Sequence, residues 1–186
     1  MLRTTSPGSE YLNVPSKRLQ YLGTAQTVAT MSALALGPRG EQSPMVRRHA
    51  ERIVANLRPK DYASELMAIF YWWCRAGRYT RDPLHVELLK DPERLVTDGE
   101  NGQLVLDCDE FALGIATDCM VVGAPAQFVT VGFRARPPGA PEGFTHVFAR
   151  AQDPRTGVWW ILDPVAGVRA EAMLKRVKQY RIYEIG

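Results

Sequence analysis

The sequence predicts an α+β fold. Apolar residues recur at helical spacing through the first part of the chain, and short alternating β-branched segments separated by turn residues fill the last part. Size and composition agree with one core. At 186 residues the chain has the usual length of a single domain, and roughly two-thirds of its unfolded surface can be buried without disulfide or metal staples. Hydrophobic residues make up 46% and charged residues 23%, an ordinary balance for a globular protein in water.

Residues 1 to about 20 mix Ser, Pro, Gly and basic residues and read as an extended arm. A short helix follows over Gly23–Leu36, with Val28, Met31 and Ala35 on one face. The expected division is an arm with this helix over 1–44 and one domain over 45–186. Ser43 and Pro44 start a second helix carrying Val46, Ala50, Ile53 and Val54. Asp61 caps a third, Tyr62–Ala76, apolar nearly all round and so expected to be the buried helix of this half. Residues 78–102 read as a long connection broken at Pro83 and Pro92, with a helical turn near Val86–Leu89. After Asp107, a helix with Phe111, Ala112, Ile115, Ala116, Cys119 and Met120 runs to Gly123. Strands follow over Ala126–Phe133, Thr145–Ala151 and Val158–Leu162, the last two joined by the turn residues Asp153 to Gly157. A short helix near Ala170–Val177 and a strand over Tyr180–Ile185 end the chain.

The charge balance, 23 basic against 20 acidic residues with the basic ones scattered, argues against a nucleic-acid partner. Met1–Tyr11 lacks an apolar signal-peptide core and no apolar run is long enough to span a bilayer, so the expectation is a cytoplasmic protein with no membrane partner. Three cysteines make no disulfide framework, and three distant histidines make no metal site; no cofactor is expected.

Chemistry concentrates in three residues. Cys108 opens the helix after Asp107, where the macrodipole favours a thiolate although the acidic neighbours oppose it. A hairpin turn centred between Pro154 and Arg155 sets His146 opposite Asp163, giving an imidazole oriented by a carboxylate across neighbouring strands. Thiol, imidazole and carboxylate together are the parts of nucleophilic acyl transfer. Cys74 and Cys119 fall on apolar stripes and read as core, His49 as a helix-face residue, and His85 as part of the connection. The paired tryptophans Trp72-Trp73 and Trp159-Trp160 read as core fillers, with one of each pair able to wall a cleft.

The stretch LDCDEFALGIATDCMVVGAPAQFVTVGF followed by FTHVFARAQDPRTGVWWILDP resembles the core of the transglutaminase-like superfamily, whose fold is that of papain-like cysteine proteases, and above all its small members encoded by bacteriophages and prophages. The resemblance covers residues 45–165 and puts Cys108, His146 and Asp163 on the catalytic triad. It departs at Leu106, where the family has glycine. It implies a Cys-dependent peptidase, amidase or transglutaminase acting on a protein or peptide through a thioester. Gln103, five residues before Cys108, reads as a polar loop residue or as a side-chain donor to the oxyanion. The resemblance also implies an alternative, a virion structural or assembly protein that uses the fold as an interaction module among other phage proteins, and a location in host cytoplasm or phage particle.

Overall fold

The computed structural model describes residues 23–81, 89–137, 139–140 and 143–186. It is mixed α+β. The helices are α1 (Thr24–Leu36), α2 (Pro44–Val54), α3 (Tyr62–Ala76), α4 (Pro92–Glu100), α5 (Cys108–Val121) and α6 (Ala170–Leu174). The strands are β1 (Arg78–Tyr79), β2 (Val105–Leu106), β3 (Ala126–Gly132), β4 (His146–Gln152), β5 (Trp159–Leu162) and β6 (Gln179–Glu184).

β1 and β2 form a small parallel ladder, and the other four make an antiparallel sheet in the order β5-β4-β3-β6. Alternation splits the sheet's two faces. Ala126 and Phe128 of β3, with Val147, Ala149 and Ala151 of β4, turn to the main core; Val129, Val131 and Phe148 turn the other way, against Met173 and Val177. α5 lies on the core face and is buried from Glu110 to Cys119. α1, α2, α3 and α4 pack around it. Their packing is close: a Cβ at Gly114 of α5 would stand 2.2 Å from the Trp73 ring of α3, so glycine leaves the room that the indole occupies. α1 belongs to the same core, through Val28, Met31 and Ala35.

Several expectations change. α3 buries the face with Leu66, Ile69 and Trp73 but is not buried all round, since Tyr71 is exposed. The connection over 78–102 contains a full helix, α4, because Pro92 sits in its first turn and Asp91 caps it by accepting from the Arg94 amide at 3.0 Å. Pro92 therefore starts a helix where the sequence reading took it as a break. Pro83, His85 and Val86–Leu88 lie outside the described residues. Among the described residues, no helix is long and apolar enough to cross a membrane.

The β4–β5 turn also differs. Ala149 pairs with Leu162 and Gln152 with Trp159, so the loop is Pro154–Gly157 and not a two-residue turn. Asp153 Oδ1 accepts from the Arg155 and Thr156 amides at 2.8 and 3.3 Å, and Gly157, at φ 73°, returns its amide to the Asp153 carbonyl. In this register the place opposite Asp163 belongs to Phe148, and His146 is its diagonal neighbour.

Candidate active site

Asp107 caps α5, its Oδ1 accepting from the amides of Asp109 (3.0 Å) and Glu110 (3.1 Å). That cap makes Cys108 the first helical residue. The Cys108 thiol donates to Asp109 Oδ1 at 3.3 Å, and the backbone amide of Val147 hydrogen-bonds to the sulfur. Burial pushes this thiol well above the usual range, Asp109 and Asp107 push it further, and the Val147 amide opposes them. These influences favour the neutral thiol, against the helix start that favours the thiolate.

The imidazole comes from the first residue of β4. The Thr145 amide donates to the Val131 carbonyl, although it is His146 that pairs with Val131. Two residues of chain thus face one at the entry to β4, an irregularity of the kind that re-aims side chains beside functional sites. His146 Nε2 and Asp163 Oδ2 share a hydrogen bond of 2.7 Å. Asp163 is only 2% exposed, and its other oxygen accepts from the Val165 and Ala166 amides at 3.0 and 3.1 Å. One carboxylate therefore shapes the turn after β5 and fixes the imidazole. With Nε2 engaged, Nδ1 is the nitrogen left for a proton transfer.

Cys108 and His146 line one cavity of about 230 Å³, together with Thr24, Thr27 and Met31 of α1 and with Thr130 and Phe144. No hydrogen bond joins Cys108 to His146, because the thiol is turned toward Asp109. A wider cleft of about 820 Å³ also reaches Cys108, lined by Tyr79 of β1, Arg81 after it and the segment that leaves β3. Gln103 lines neither space. It is exposed at the end of the α4–β2 loop, and the extended chain through β2 carries it away from Cys108 at roughly 3.3 Å per residue.

The other candidates fall elsewhere. Cys119 is buried and Cys74 half-buried, with both thiols raised chiefly by burial. Trp72, Trp73, Trp159 and Trp160 line neither space at Cys108. His49, read as an isolated helix-face residue, is buried among charged groups: Nδ1 meets Glu100 at 3.3 Å and Nε2 stands 3.6 Å from Asp118 Oδ2, while Trp72 packs edge-on against the ring. Asp118 accepts from the Trp73 indole at 2.8 Å and burial raises it to about 8, while burial lowers His49. Both shifts favour uncharged forms, a protonated acid beside a neutral imidazole. Near Cys108, Glu110 is raised to about 7 by burial against the pull of Lys90, whose ammonium lies 3.2 Å away.

Sequence reasoning missed α1 as a wall of the site. Thr24 and Thr27 share α1 with the polar residues Gln26, Thr30 and Ser32, so nothing in the local sequence singled them out.

No family model matches the chain, and neither the curated proteins nor the solved structures contain a significant match.

Proposed function

We propose that the chain is a cysteine-dependent acyl-transfer enzyme of the transglutaminase-like, papain-like kind, with Cys108 as nucleophile, His146 as base and acid, and Asp163 as the residue that orients His146. The observation that carries the reading is the 2.7 Å His146–Asp163 hydrogen bond at the edge of a cavity that Cys108 shares. The raised thiol favours general-base attack over a resting thiolate–imidazolium pair. Cys108 rotates from Asp109 toward His146 Nδ1, which takes the thiol proton as sulfur bonds to the acyl carbon. The carbonyl electrons move to oxygen, and the Cys108 amide faces that oxyanion, the Asp109 and Glu110 amides being taken by Asp107. Collapse expels an amine that leaves with the His146 proton, and a thioester remains. Water or a second amine then attacks, giving its proton to His146, and the sulfur leaves as it takes that proton back. The substrate is a protein or peptide amide.

The test is intact-mass spectrometry after incubation with an activated ester. Wild type gains one acyl group on Cys108, and Cys108→Ala and His146→Ala gain none. Equal acylation of wild type and His146→Ala removes the reading in favour of the structural, virion-assembly alternative.

A further inference from the structure

The two spaces beside Cys108 differ in character. The smaller is walled by the threonines and Met31 of α1. The wider holds three exposed arginines, Arg81 on the segment after β1 and Arg134 and Arg136 on the segment after β3. Its described lining contains one carboxylate, Asp107, whose Oδ1 already serves the α5 amides. Arg81 and Arg134 form no ion pair among the described residues, and the Arg136 Nε–H donates to the Ala140 carbonyl.

The arginine wall is anchored. The Gln179 side chain, at the start of β6, donates to the Arg134 carbonyl at 3.2 Å and accepts from the Gly143 amide at 3.4 Å. Gly132 packs so closely that a Cβ would stand 2.5 Å from the Gly143 carbonyl oxygen. Cationic groups on two chain segments thus line one cleft at the nucleophile, with Tyr79 and Phe133 also in its lining. Guanidinium groups recognise carboxylates by paired N–H donors. A cleft of about 820 Å³ is large enough for several side chains of an extended segment. Phosphate of nucleic acid offers this thiol no acyl carbon.

We infer that this cleft receives an acidic peptide segment next to the reacting amide, with Arg81 and Arg134 reading its carboxylates. The inference deepens the acyl-transfer reading and rests on it.

Binding is measured apart from chemistry, by fluorescence anisotropy of a labelled, C-terminally amidated Glu-rich peptide on the Cys108→Ser protein, beside the same peptide with Gln for Glu. The acidic peptide binds at least about tenfold tighter, the effect of one charge-assisted pair. The advantage shrinks between about 0.01 and 0.15 M salt as the screening length falls from roughly 30 to 8 Å. Arg81→Gln/Arg134→Gln, with an unchanged thermal midpoint, abolishes the preference and keeps the binding of the Gln peptide. Equal affinities, or a preference that survives in the double variant, overturn the inference. So does a preference that appears only with a free C-terminal carboxylate, which assigns the cleft to a chain end. Acylation of wild-type Cys108 by a neutral ester is read in parallel. Acylation without acidic preference removes this inference alone; acidic preference without acylation removes the enzyme and leaves an acidic-peptide binding cleft.

Discussion

Asp163→Asn separates catalysis from fold, because the two oxygens of this carboxylate do different work. Oδ1 holds the turn through the Val165 and Ala166 amides, and asparagine keeps that acceptor. Oδ2 receives His146 Nε2 at 2.7 Å, and an NH₂ group there must donate instead. Nε2 then becomes the acceptor, and the ring proton moves to Nδ1, the nitrogen that has to take the thiol proton. In serine-type triads the same change lowers kcat about 10⁴-fold, and a loss of about 10³ to 10⁴ in Cys108 acylation is expected here. Asp163 is only 2% exposed, so the substitution should cost about 1–3 kcal/mol, the loss for a buried charged hydrogen bond with the turn retained. For a chain of this size that lowers the thermal midpoint by roughly 2–12 °C. The assay pairs midpoint with acylation rate for wild type, Asp163→Asn and Asp163→Ala. Unchanged acylation together with a midpoint tens of degrees lower would refute the reasoning and leave Asp163 as a turn former only.

Asp109→Asn removes the carboxylate that accepts the Cys108 hydrogen bond and raises the thiol; iodoacetamide labelling of Cys108 at pH 8 should rise about threefold to tenfold, the effect of one near charge at high effective dielectric, and slower labelling would show that Asp109 activates the sulfur. Asp118 is raised in the folded chain from 3.8 to about 8, so its stabilisation is full below its unfolded value and lost as pH rises through about 8. Wild type should therefore lose stability relative to Asp118→Asn by up to about 1.4 kcal/mol per pH unit between about pH 4 and 8, and urea midpoints of the two proteins that run parallel across that window would contradict it. Gly114→Ala drives a methyl into the Trp73 ring at 2.2 Å and should destabilise by about 2 kcal/mol or more, read as a fall in urea midpoint without a change in slope.

How much was legible follows from where the deciding forces act. Helix starts governed by adjacent residues were readable: Ser43 before α2, Asp61 before α3 and Asp107 before α5 each accept hydrogen bonds from first-turn amides. α4 has the same cap in Asp91, yet the proline beside it was weighed as a breaker. The rest depends on pairs far apart in the chain. Nothing local sets His49 of α2 against Asp118 of α5, or brings α1 to the cavity at Cys108, or puts Arg81 and Arg134 on one cleft. The influences on the thiol divide in the same way. The dipole is visible in sequence, whereas desolvation, the largest influence on Cys108, appears only when the core closes around it.

The hairpin shows why an error in register left the His146–Asp163 pair in reach. Side chains alternate faces along a strand, so a slip of one residue carries a side chain to the opposite face, while a slip of two returns it to the same one. The turn closes around Pro154–Gly157, one residue further along the chain on average than a turn centred at Pro154 and Arg155, and this displaces the pairing by two. His146 and Asp163 change from directly opposed to diagonal neighbours, a step that lengthens the Cα separation from about 5 to roughly 7–8 Å. Asp163 lies just past the last paired residue of β5, where the chain is already turning on its own Oδ1 contacts, and its carboxylate reaches the imidazole across that diagonal at 2.7 Å. Inserting one residue into the Pro154–Gly157 loop should break the pair by parity, whereas inserting two should restore it with the thermal midpoint little changed. Loss of Cys108 acylation in the first variant and recovery in the second is the expected pattern; equal acylation in both would mean that the turn after β5, and not the ladder, determines where Asp163 stands.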